Sequence, residues 1–195
     1  MRSRRPPSSS ELVALVQAAR VHAGGRPPAS RIIVPGPGQE SVWDFPRPPR
    51  VESVALPVRV ELGGVTIART TRALRIVETA GAPCYYLPPD DCDLGALRRT
   101  EHWTVCEWKG AAYAYDVRAG GRTAAHGAWS YPAPLTDLGM GYERVAGWFA
   151  FYASRMDACF LGDERVRSQP GGFYGGWVTQ NLTGPIKGEP GTEGW

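Results

Sequence analysis

The sequence predicts a mainly β protein: an antiparallel β domain with one or two short helices, plus an N-terminal arm. Three observations carry the β prediction. Residues 58–62 (VRVEL) alternate apolar and charged side chains with a period of two, the signature of a strand with one buried face. Diglycine pairs at 63–64 and 120–121 sit where tight hairpins need a backbone that tolerates positive φ. The 24 Gly and 18 Pro interrupt the chain so often that little room is left for long helices.

In chain order, Ser8 and Glu11 have the spacing of a capping box, with Ser8 as N-cap and Glu11 at N3. Leu12, Leu15, Val16 and Ala19 then recur at helical spacing until Gly24-Gly25, so a helix is expected over 11–23. Residues 24–50 are rich in Pro, Gly and Arg and read as extended linker. A flexible Arg/Pro-rich arm is therefore expected over 1–39, and the folded domain over 40–195. Strands are expected at 58–62, 65–70, 73–78 and 84–87. Asp93 is placed to cap a short helix over 94–99. Runs at 103–108 and 112–117 meet at Gly110, and further strands are expected at 128–131, 146–152 and 157–161. Short strands at this spacing, separated by turn signals, belong to an antiparallel architecture without a βαβ unit. From about 168 the chain turns Gly-rich, and Phe173, Tyr174 and Trp177 are expected to pin this tail to the domain as coil.

Charge is unevenly spread. Residues 1–50 carry eight Arg against Glu11, Glu40 and Asp44, a net +5, while the remaining 145 residues carry 14 basic and 16 acidic side chains, a net −2. A nucleic-acid binder needs a basic face on its folded domain, so no nucleic-acid partner is expected. No apolar run approaches about 18 residues, so no membrane span is expected. Glu11, Gln17 and Arg20 interrupt the apolar stretch near the N-terminus, which argues against a secretory leader. The protein is expected in the cytoplasm with its cysteines reduced. Cys84, Cys92, Cys106 and Cys159 include no C-x-x-C pair, and His22, His102 and His126 are scattered, so neither a metal nor another cofactor is expected. No glycine-rich phosphate loop stands between a strand and a helix.

Period-two arithmetic locates the candidate site. In a strand over 73–78, Glu78 shares a face with Leu74 and Ile76, and a carboxylate ending an apolar face must be paired or carry a raised pKa. In VCEWKG (105–110), strand parity points Glu107 and Lys109 one way and Cys106 and Trp108 the other. Trp129 and Tyr131 of AWSYP share a face, and Asp157 falls in register with Cys159 and Leu161. Seven Trp and eight Tyr are many for this length, so aromatic surface must be buried or used.

The strings RALRIVETAGAPCYYLP (72–88), TVCEWKG (104–110), AWSYP (128–132) and DACFLGDERV (157–166) resemble the domain of unknown function 427 family. ESVWDFPRPPR (40–50) and GGFYGGWVT (171–179) look like a longer actinobacterial-type version of it. The resemblance implies a β-tent-like fold in which two antiparallel sheets lean together. Many β-tent relatives hold zinc with two Cys-x-x-Cys pairs; this chain has neither, so the zinc does not carry over. Nucleotidyl transfer, a label attached to the family, calls for clustered carboxylates and a phosphate-binding turn. Asp90, Asp91 and Asp93 are close in sequence, but PPDDCD reads as a helix-start loop.

Positions matching the family's recurrent residues are Glu78, Tyr86, Cys106, Trp108, Lys109, Gly110, Trp129 and Tyr131. The resemblance implies a pocket between the sheets for a small polar organic molecule, lined by Tyr86, Cys106, Trp108, Trp129 and Tyr131 and oriented by Glu78 and Lys109. In the enzyme alternative Glu78 is a general acid/base and Lys109 stabilises a developing anion. In a third reading the arm or tail makes the chain a protein-interaction module.

Overall fold

The computed structural model describes residues 5–20, 24–192 and 194–195. The chain is mainly β. Among the described residues its one α-helix, α1, runs Ser9–Arg20. The capping box forms: Ser8 N donates to Glu11 Oε2 at 2.7 Å, and Glu11 N donates to Ser8 Oγ at 3.3 Å. The expected end of this helix, at 21–23, lies outside the described residues. α1 buries Val16, and Arg20 donates to the Glu107 carbonyl and to Asp137, both at 2.8 Å.

The strands are β1 (Glu40–Ser41), β2 (Arg50–Ser53), β3 (Val58–Leu62), β4 (Val65–Thr70), β5 (Leu74–Val77) and β6 (Cys84–Tyr86). Then come β7 (Leu97–Cys106), β8 (Gly110–Ala119), β9 (Arg122–Ser130), β10 (Phe149–Phe151) and β11 (Ala158–Leu161). The last four are short: β12 (Glu164–Arg165), β13 (Arg167–Ser168), β14 (Trp177–Val178) and β15 (Leu182–Thr183). They build three main antiparallel sheets, ordered β2-β5-β6, β10-β9-β8-β7 and β12-β11-β3-β4. β13 pairs with β14, and β1 pairs in parallel with β15.

Two expectations need correction. The helix expected over 94–99 is a single 3-10 turn, Leu94–Ala96. Asp93 does cap it, accepting from Gly95 N, but β7 begins at once with Leu97. The cap is real; Val117, which pairs with Leu97 on β8, claims the following residues for the sheet. The strand expected over 103–108 ends at Cys106, and residues 107–109 form the turn into β8.

Alternation along the strands builds two cores around one sheet. Ala128, Phe149 and Phe151 join Val58, Val60, Leu62 and Ile67 in the first core, while Trp129 and Ala150 face Ile76, Tyr86 and Tyr142 in the second. Tyr85 and Tyr86 divide between the same two cores. A third, smaller core gathers Val42, Trp43, Phe45, Val77 and Ala80. The β2-β5-β6 and β10-β9-β8-β7 sheets join at one edge, where Leu87 and Phe149 exchange backbone hydrogen bonds of 2.8 and 3.0 Å.

Asp157 has a structural part. Its carboxylate accepts from Gly63 N at 2.6 Å and from Arg122, tying the 63–64 turn to the start of β9. Trp177 is fully buried, stacks on Tyr85 at 5.0 Å and donates from Nε1 to the Phe151 carbonyl. The tail that carries it is thus part of the first core.

Candidate functional site

Between the two joined sheets lies a cleft of about 240 Å³. One wall comes from β5, β6 and the turn after β5, with Ile76, Glu78, Cys84 and Tyr86; the other comes from β7, β8 and β9, with Cys106, Lys109, Ala112 and Trp129. Tyr131 follows β9 on the same side. Of the residues expected to share a site, only Trp108 is off the lining. Its indole packs behind, and Nε1 donates to Glu78 Oε1 at 3.2 Å.

Strand parity separates Cys106 from Lys109, but both line the cleft. The turn at 107–109 interrupts the pleat, so the period-two rule stops applying after Cys106. Glu78 lies just past β5, and Arg47 Nε donates to the same Oε1 at 3.2 Å. Its carboxylate is therefore anchored by an arginine and an indole. No ion pair joins Glu78 to Lys109 among the described residues.

Lys109 is 7% exposed. Among the described residues its ammonium makes no hydrogen bond and no ion pair; the Tyr131 ring lies 5.6 Å away. Burial works against the charge, but Cys106, Tyr131, Tyr86 and Glu78 outweigh it and hold the lysine pKa well above its ordinary value. The cleft therefore carries a fixed cation at neutral pH. Burial pushes the Cys84 thiol up to about 11 and raises the Tyr86 and Tyr131 phenols, so these groups stay neutral there.

The aromatic walls are continuous. Tyr86 meets Trp129 edge-on at 6.3 Å and Tyr131 at 6.4 Å, and Trp129 meets Tyr152 at 4.6 Å. The Gly-rich tail supplies a cover. Gln169 accepts from Ala82 N at 3.1 Å and donates to the Lys187 carbonyl at 2.8 Å, pinning the tail to the β5–β6 connection. Gly175 crosses the face of Trp129 so closely that a Cβ there would lie 2.1 Å from the indole. Tyr152 donates to the Phe173 carbonyl at 3.3 Å, and the Phe173 ring remains 65% exposed at the rim. Sequence reasoning places Phe173 and Tyr174 as anchors of a coil and misses that they line the cleft. It also misses Arg47 and Gln169, for which local pattern carries no signal.

Fold and site together define a β-sheet protein with an aromatic-walled cleft containing one buried cation. Residues 50–162, more than half of the chain, match the family described as a domain of unknown function (DUF427), and the chain belongs to that family. No curated protein matches the chain. The matched span contains both sheet walls, whereas Arg47, Gln169, Phe173 and Tyr174 lie outside it.

Proposed function

We propose that the cleft binds a small organic molecule carrying an anionic group, with Lys109 receiving that group and the rings of Tyr86, Trp129 and Tyr131 holding its apolar part. One observation carries this reading: Lys109, a buried residue on the cleft wall, makes no hydrogen bond and no ion pair with the described residues, so its ammonium faces only what enters the cleft. A lysine largely withdrawn from water gains from a counter-charge, and an anionic ligand supplies one. The surrounding wall is largely apolar with few polar groups, as in small-molecule sites generally.

Thermal-shift measurement against a panel of aromatic and aliphatic carboxylic acids tests the reading. A binder at 100 times its Kd stabilises the protein by about 2.7 kcal/mol, a shift of several degrees. Lys109→Met fills similar volume and strands no ion-pair partner, so it should melt near wild type and lose the ligand-dependent shift. A hit that stabilises Lys109→Met as well as wild type would refute the assignment. The enzyme reading, with Glu78 as general acid/base, draws support from Glu78 Oε2, which accepts no hydrogen bond from the described residues. It requires that Glu78→Gln still bind a hit but stop its turnover.

A further inference from the structure

His102 and His126 are far apart in sequence and stand on β7 and β9, with β8 between them. Their rings nevertheless stack, with centroids 4.7 Å apart and planes within 10°. Two bulges bring this about. The β7–β8 register jumps between Arg99 and Trp103, and the β8–β9 register jumps between Tyr115 and Val117, so each outer strand lifts a histidine over the middle one.

Both bulges are pinned by side chains. Thr100 Oγ1 accepts from His102 N at 3.2 Å and donates to the Ala114 carbonyl at 3.1 Å. Asp116 Oδ1 accepts from His126 N at 2.9 Å. His126 adopts φ +49°, a left-handed conformation uncommon outside glycine, and Arg155 clamps it by donating to its carbonyl at 2.7 Å. The bulge is thus held in place from two sides.

Beside the ring pair lies a hollow of about 110 Å³, lined by His102, His126 and Arg155. It shares Thr104, Ala112, Trp129, Tyr152 and Phe173 with the lysine cleft, so the two hollows adjoin along these side chains. Arg155 uses only Nη1 in hydrogen bonds to the described residues, on the carbonyls of Ala125 and His126. Its other nitrogens are free to donate. Parallel imidazoles keep their lone pairs in parallel planes, which does not converge on a metal ion, and a guanidinium beside them repels one. Donors and positive charge favour an oxyanion instead.

We propose that His102, His126 and Arg155 form a second subsite, adjoining the lysine cleft, that binds an oxyanionic group, phosphate or carboxylate. A ligand reaching both hollows then carries two anionic ends separated by an apolar span lying on Trp129. Burial, then His126 and Arg155, lower the His102 pKa, so the free site repels its own protonation and a bound anion relieves that repulsion. The other ionisable neighbours are Asp116 from β8, already bonded to His126 N, and the Tyr152 phenol, whose pKa burial raises. Anion affinity should accordingly rise as pH falls through the histidine range.

The test is a histidine titration of the full chain, following the ring Cε1–H signals by NMR with inorganic phosphate, phenyl phosphate or benzoate, against sodium chloride of equal ionic strength. Saturable shifts at both rings and a raised His102 titration midpoint are expected. Affinity should be about tenfold tighter at pH 5.5 than at 7.5, for one added proton per site. Response to the phosphates alone or to benzoate alone identifies which oxyanion the site takes. Arg155→Met and, independently, His102→Gln should each weaken the response at least about fivefold, with the remaining spectrum unchanged. Midpoints that move no more than in chloride, or a response to Zn²⁺ in place of the oxyanions, would overturn the proposal. The readout lies on the histidines, so Lys109→Met should leave it intact, and failure here is distinguishable from failure of the lysine cleft.

Discussion

At Arg75 one guanidinium serves two carboxylates. It donates to both oxygens of Glu40 at 2.8 Å and to Glu52 at 2.7 Å, joining β1 and β2 to β5. Burial disfavours the Glu52 carboxylate, but hydrogen bonds from Arg50 and Arg75 outweigh this and hold its pKa below the ordinary value of 4.5. A depressed carboxylate pKa stabilises the fold above the unfolded value, and that contribution is lost as pH falls through the folded one. Arg75→Met should therefore cost about 1–2 kcal/mol at pH 7, discounted for partial exposure, and less at pH 3. Urea denaturation at both pH values measures this; equal losses would show that packing, not charge, is what Arg75 supplies. Lys109 and Cys106 show where residue-level reading stops. Their types mark them as candidates, but their common orientation depends on a turn that parity does not register.

Among the elements, the turns at 63–64 and 120–121 meet back to back. Gly120 has φ +52°, and a Cβ there would lie 1.9 Å from the Gly63 carbonyl oxygen. Gly120→Ala meets backbone that cannot swing aside as a side chain could, and should cost at least about 2 kcal/mol. A loss under 0.5 kcal/mol by chemical denaturation would mean that the two hairpins separate freely. Both turns are legible in the sequence, because diglycine after an alternating run has one dominant use. The contact between them is not, since nothing local records which turn another turn will touch. The bulges on β7 and β9 are hidden for a related reason: extra residues in a strand look like ordinary strand residues until the partner's register is known. That is why His102 and His126 read as scattered, while Trp129 and Tyr131, two apart on an unbroken face, are correctly paired.

For the whole molecule, the two ends of the chain matter unequally. Residues 5–20 touch the domain mainly through Val16 and Arg20, so deleting residues 1–23 should cost about 1 kcal/mol. Ending the chain after Ser168 removes the buried Trp177 and the partner of β1, and should cost more than about 4 kcal/mol. Melting curves of the two truncations rank them, and the reverse order would refute this division. The fold class and most strands are readable because each is a local pattern. The cleft cover is not, because its residues meet Trp129 and Ala82 only after a long return of the chain. The parallel pairing of β1 with β15 has a mechanical meaning as well. Glu40 N donates to the Asn181 carbonyl and Val42 N to the Thr183 carbonyl, while upstream Ile33 N reaches the Gly184 carbonyl. A pull on the two ends of the chain drags parallel strands past each other lengthwise, loading these bonds together, whereas antiparallel strands would peel apart one bond at a time. Once α1 has peeled from the β7–β8 turn, the seam that closes the molecule is thus loaded in shear, and it bears the tension between the ends before the strands of the main sheets do.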